Sequence, residues 1–158
     1  MSKNKVAAAT LALAAVAAGP YAAAADSAAK KTFPLKATLT ARQTVPLAKD
    51  ATGASGVFSA TLTMAGRKGT FLWKLSFKNL SGRPMAAQVQ LGAPGKSGPV
   101  AIPLCRRCTV GAHGSYTGPL GANPALVRAL THGGAYVNVL TKKNPKGEIR
   151  GQIKVVVR

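Results

Sequence analysis

Apolar and polar residues alternate through most of this chain. In 35–42, LKATLTAR, one parity holds Leu35, Ala37, Leu39 and Ala41 and the other holds Lys36, Thr38, Thr40 and Arg42. The segment 57–65, VFSATLTMA, sets Phe58, Ala60, Leu62 and Met64 against Ser59, Thr61 and Thr63. In 70–78, TFLWKLSFK, Phe71, Trp73, Leu75 and Phe77 alternate with Leu72, Lys74, Ser76 and Lys78. Successive side chains of a strand point to opposite faces, so this period predicts half-buried antiparallel strands with one face on a core. Trp73 and its aromatic neighbours then read as packing rather than as a stacking platform. The stretches 49–56, 65–69 and 79–84 are rich in turn formers, and AGRKG at 65–69 predicts a hairpin.

The pattern continues with MAAQVQL, 85–91, which places Met85, Ala87, Val89 and Leu91 on one face and the neutral amides Gln88 and Gln90 on the other. A loop, GAPGKSG, precedes PVAIPL at 99–104, a short strand limited by its prolines, and HGSYTG at 113–118 predicts another. One helix is expected in NPALVRAL, 123–130, with Asn123 as cap, Pro124 at the first position and Gly133-Gly134 after its end. The segments 135–141 and 148–157 close the chain as strands joined by KKNPKG. Seven or eight short strands with one brief helix predict an all-β fold, a Greek-key β-sandwich or a flattened barrel. No internal repeat or linker divides it.

The first 25 residues differ from the rest. MSKNK, an apolar run from Val6 to Ala18, and A-x-A before Asp26 form the three-part pattern of a secretory signal peptide. The expected organisation is a signal peptide at 1–25, a tail at 26–34 and one β domain at 35–158. The apolar run is too short to span a bilayer comfortably, so no transmembrane segment is expected after cleavage. The expected location is secreted or periplasmic, outside the cytoplasm.

Charge sharpens that expectation. The chain has 22 Lys and Arg against three acids, for a net +19, and loss of the leader would leave 20 bases against three acids, or +17. A field of this sign attracts polyanions. The expected partner is an anionic cell-envelope polymer or an extracellular protein, with nucleic acid held only non-specifically. The best exposed candidates for anion binding are Arg67 and Lys68 at the hairpin tip and Lys142, Lys143 and Lys146 in the loop before the last strand.

Catalytic patterns are sparse. There is no G-x-S-x-G elbow, and the few carboxylates offer no acid–base pair. Cys105 and Cys108 form C-R-R-C without a second C-x-x-C to complete a zinc site, so a local disulfide is the expected state of an exported chain. Thiol redox chemistry, favoured by the adjacent Arg106 and Arg107, is the competing reading. Glu148 and Arg150 stand two apart, which suggests an ion pair or hydrogen-bonding cluster fixing the last strand. Tyr116 and Tyr136 are poorly placed to interleave with bases.

The run GGAYVNVLTKKNPKGEIRGQI, 133–153, resembles the C-terminal signature of the CHRD domain, in which Y-V-N-V-H-T precedes an Asn-Pro turn and G-E-I-R-G-Q. The similarity extends upstream: 43–62 resembles the family's E-x-P-P…A-T-G-x-G opening, and 75–104 its A-A-H-I-H…G-P-V block. It covers about residues 35–157 and implies a superoxide-dismutase-like arrangement, since the CHRD module has been compared with that fold. The family-signature positions here are Gln88, Gln90, Asn138, Leu140, Glu148 and Arg150. Where the family often carries three histidines, this chain has Gln88, Gln90 and Leu140, and Gln43 replaces an acidic residue. His113 and His132 match none of the family's histidine positions. A metal is therefore not expected, nor any other cofactor. The resulting expectation is a non-enzymatic binding or structural module, with a metal-dependent or thiol redox enzyme of superoxide-dismutase-like fold as the alternative.

Overall fold

In the computed structural model, residues 29–51 and 53–157 are described; the expected signal peptide and its cleavage point lie outside them. Nine strands and one α-helix occur among the described residues. They are β1 (Lys31–Thr40), β2 (Ser55–Ala65), β3 (Lys68–Lys78), β4 (Pro84–Leu91), β5 (Val100–Arg106), β6 (Ala112–Gly118), α1 (Pro124–Thr131), β7 (Ala135–Thr141), β8 (Ile149–Gln152) and β9 (Lys154–Val155).

The alternation of β1 to β3 is realised as read. Leu35, Leu39, Phe58, Leu62, Phe71 and Leu75 are buried, while Lys36, Thr38, Leu72, Lys74 and Ser76 face outward. The β2–β3 register sets Phe58 opposite Leu75 and Leu62 opposite Phe71, with the Phe58 and Phe71 rings 6.2 Å apart. Full burial of each such side chain stabilises the fold by roughly 1.5–3 kcal/mol. Trp73 is part of the same core.

All ladders are antiparallel, in the order β5-β4-β7-β8-β1-β2-β3-β6, with β9 pairing β1 alongside β8. Read round the molecule this is a flattened, nearly closed barrel. The chain crosses from β3 to β4, and β6 returns to pair with β3. No ladder joins β5 to β6, so the barrel keeps one open seam. The Cys105–Cys108 disulfide ties the end of β5 to the turn that leads to β6.

Helix α1 starts where its cap predicts, with the Leu126 amide donating to Asn123 Oδ1 at 3.0 Å and Pro124 in the first turn. It buries Leu126 and Leu130 at the end of the barrel that carries the β2–β3 hairpin, whose Arg67 carbonyl accepts from the Gly121 amide. No helix among the described residues is long and apolar enough to cross a membrane.

Four details differ from the sequence reading. Strand β1 begins at Lys31 because Lys31–Pro34 pair with Thr61–Met64, so part of the expected tail belongs to the sheet. It also ends at Thr40, where a 3-10 turn, Ala41–Gln43, begins. The last strand breaks at Ile153, which is fully buried and whose amide donates to the Ala135 carbonyl. Met85 is half exposed, because the β4–β7 register shifts between Pro84 and Ala86 and takes it out of step with Ala87 and Val89.

Candidate functional site

The outer face of β4, β7 and β8 gathers most of the signature residues. Register places Gln88, Asn138 and Arg150 in one cross-strand row, and Gln90, Tyr136 and Gln152 in the next. Residues directly opposite in an antiparallel pair share a face. Leu140 stands opposite Ala86, half buried. Unlike the outer face of β1 to β3, this one is covered: Tyr136, Asn138 and Arg150 are only 1%, 5% and 2% exposed.

The cover is the 92–98 loop, and its backbone is held by side chains from all three strands. Arg150 Nη2 donates to the Ala93 carbonyl at 3.0 Å, and Gln152 Nε2 to the Gly92 carbonyl at 2.7 Å. Gln90 Nε2 donates to the Gly98 carbonyl at 3.1 Å, and the Gly98 amide donates to the Tyr136 hydroxyl at 3.1 Å. A loop whose backbone groups would otherwise lose water is thereby satisfied. Asn138 Nδ2 donates to both Gln90 Oε1 and the Lys146 carbonyl at 2.9 Å, tying β4 to the loop before β8. Its Oδ1 is buried without a hydrogen bond and lies against Gly147, where an added Cβ would stand 2.2 Å from it.

Arg150 is a buried cation without a carboxylate partner among the described residues. Its guanidinium carbon lies 3.5 Å from the Tyr136 ring centroid, so the ring face supplies a cation–π contact. Burial lowers its pKa, and the Tyr136 hydroxyl acts in the opposite direction. Tyr136 thus packs against an arginine.

Glu148 does not pair with Arg150; the ion-pair form of that expectation is corrected. Strand β8 begins only at Ile149, and Glu148 turns into the opposite end of the barrel from α1, fully buried. Its Oε1 accepts from the Ser81 amide at 2.5 Å, and its Oε2 from the hydroxyls of Ser81 and Thr141 and from Asn144 Nδ2. Asn144 also bonds the Lys49 backbone through both of its side-chain polar atoms. The carboxylate therefore joins three loops. Burial alone would raise its pKa, but the donors from Ser81, Thr141 and Asn144 outweigh it and hold the group below its ordinary value. Ser81, Thr141 and Asn144 were missed in the sequence; the Asn-Pro turn was their one visible trace.

The candidate anion-binding residues do not form one patch. Arg67 and Lys68 are at the α1 end of the barrel, and Lys142, Lys143 and Lys146 at the Glu148 end. Lys142 and Lys143 share a shallow depression of about 500 Å³ with Ser81, Gly82 and Arg83. Lys143 is also 3.2 Å from Asp50, the single ion pair among the described residues. Cys105 and Cys108 are bonded to each other.

As metal donors the set does not fit. Gln90 is engaged through both ends of its amide, Leu140 has no donor atom, and Gln88 offers one neutral oxygen. No group of three or more His, Cys, Asp or Glu converges among the described residues. His113, on β6, and His132, after α1, are both exposed and far apart in the topology.

No curated protein and no solved structure matches the chain. The family model described as the CHRD domain matches residues 35–153, which takes in the covered face, the Glu148 node, most of β1 and every strand from β2 to β8. The chain belongs to the CHRD family.

Proposed function

We propose that this CHRD chain is an exported, non-enzymatic module that binds an anionic polymer of the cell envelope. One observation carries the reading: the molecule's cations have almost no internal counter-charge. Of three acids, Glu148 is consumed in a buried network, Asp50 pairs with Lys143, and Asp26 is outside the described residues. The other exposed Lys and Arg side chains are available to an external anion, and release of that anion's counterions would drive association. The signature positions support a non-catalytic role, since Gln90, Asn138, Glu148 and Arg150 are engaged in holding loops.

Co-sedimentation with envelope fractions across a sodium chloride series, with DNA as control, tests the proposal. Envelope binding that weakens steeply with salt supports it. Binding that survives high salt points instead to an extracellular protein receptor, and absence of binding removes the polyanion reading.

A further inference from the structure

The outer face of β1, β2, β3 and β6 is open, and its register creates an alignment that the linear sequence hides. Lys154, Lys36, Ser59, Lys74 and His113 occupy one continuous cross-strand row, contributed by β9, β1, β2, β3 and β6 in turn. The three lysines and His113 are exposed. With strands about 4.8 Å apart, the Cα of Lys36 is about 5 Å from that of Lys154 and about 10 Å from that of Lys74. Like charges directly opposite on paired strands repel. No carboxylate among the described residues pairs with any of these lysines. The sheet thus holds a repulsion that an external anion would relieve.

Two further rows run parallel to the first. Thr32, Thr63, Thr70 and Thr117 form a hydroxyl ladder, with the Thr70 and Thr117 oxygens 3.3 Å apart. Between the ladder and the lysines lie Thr61, Leu72 and Ser115. Leu72 is 53% exposed and lines a shallow depression of about 480 Å³ that also includes Lys74, His113 and Trp73. Gly114, opposite Trp73, packs against the buried indole, and a Cβ at 114 would stand 2.8 Å from the ring.

We propose that this face binds a linear acidic polysaccharide laid across the strands. The lysine row meets its carboxylates, the threonine ladder meets its hydroxyls, and the exposed Leu72 meets the apolar face of a sugar ring. The mixture favours a sugar polymer over a phosphodiester chain, which presents charge without an apolar ring face to this depression. The inference rests on the polyanion reading above and moves the contact from the loops to the sheet.

The test compares three variants of the full chain for retention on polygalacturonate, with polyphosphate as the second probe and dextran as the uncharged control. Each variant is first checked for an unchanged melting temperature. K36Q/K74Q/K154Q should weaken polygalacturonate binding about tenfold or more at low salt and flatten its logarithmic salt dependence by about two to three units. R83Q/K142Q/K143Q, an equal loss of charge at the barrel end, should change binding less than about threefold. Equal losses from the two triple variants would overturn the sheet assignment while leaving the polyanion reading standing. Failure of the unaltered chain to bind either polyanion would overturn that reading itself. L72T should weaken retention on polygalacturonate and leave polyphosphate unchanged; if it leaves both unchanged, the polysaccharide assignment falls.

Discussion

Glu148 offers the most direct test of how the barrel is closed at its loop end. Replacing it in E148Q keeps the volume and one acceptor oxygen, which can retain the Ser81 amide, but puts an NH₂ where three donors now converge on Oε2. The two hydroxyls can rotate to accept; the Asn144 amide nitrogen cannot. Hydrogen bonds to a charged group contribute roughly 1.5–3 kcal/mol against about 1 kcal/mol for neutral ones, so with partial relaxation the loss is about 2–4 kcal/mol. For a domain of this size that lowers the melting temperature by about 10 °C. The pH dependence fixes the cause. The folded-state pKa is held below the ordinary 4.5, so the carboxylate's contribution is fully present above that value and is lost as pH falls through the lowered one. Thermal melts of both proteins, from pH 7 down to about pH 2, should show the deficit of E148Q shrinking on acidification. An E148Q protein as stable as its parent at pH 7, or a deficit that stays constant into acid, would refute the reasoning.

Two further perturbations test neighbouring features. G147A forces a Cβ to 2.2 Å from Asn138 Oδ1 at a residue with φ +135°, and should cost about 2–4 kcal/mol in urea unfolding; an unchanged midpoint contradicts the packing described. C105S/C108S removes a very short cross-linked loop and should cost about 2 kcal/mol, with faster amide exchange concentrated in β5 and β6 rather than spread through the sheet.

The alternation that made β1 to β3 legible is a property of strands with one wet face. In β7 that signal fails, because the 92–98 loop covers the outer face and buries Tyr136 and Asn138 as deeply as Val137 and Val139. Their spacing in AYVNVLT carries no trace of the cover, so the signature residues could be located by family resemblance but their hydrogen bonds could not. The Glu148–Arg150 spacing misled for a related reason. Faces two residues apart coincide only inside a strand, and β8 begins after Glu148. Cap and hairpin chemistry, by contrast, is local, and Asn123, Pro124 and the AGRKG turn acted as they read. The lysine row lies at the other extreme: its members come from five separate segments, and only strand order brings them into line.

The open seam has a consequence for the company the molecule keeps. A sheet that ends at β5 and β6 presents two unpaired backbones, and such edges invite strands from a second copy. This chain makes its edges poor templates. Strand β5 carries Pro103, which lacks the N–H a ladder needs, and its pairing with β4 slips twice, so the edge is irregular. Strand β6 carries Gly114 in its middle and Gly118 at its end. The Cys105–Cys108 link then holds the corner between them. Were the module concentrated on a polymer, as proposed above, strand addition between neighbours would turn a reversible coat into a fibrous one. The irregular edges at the seam would disfavour that addition, so neighbouring modules would stay separate molecules.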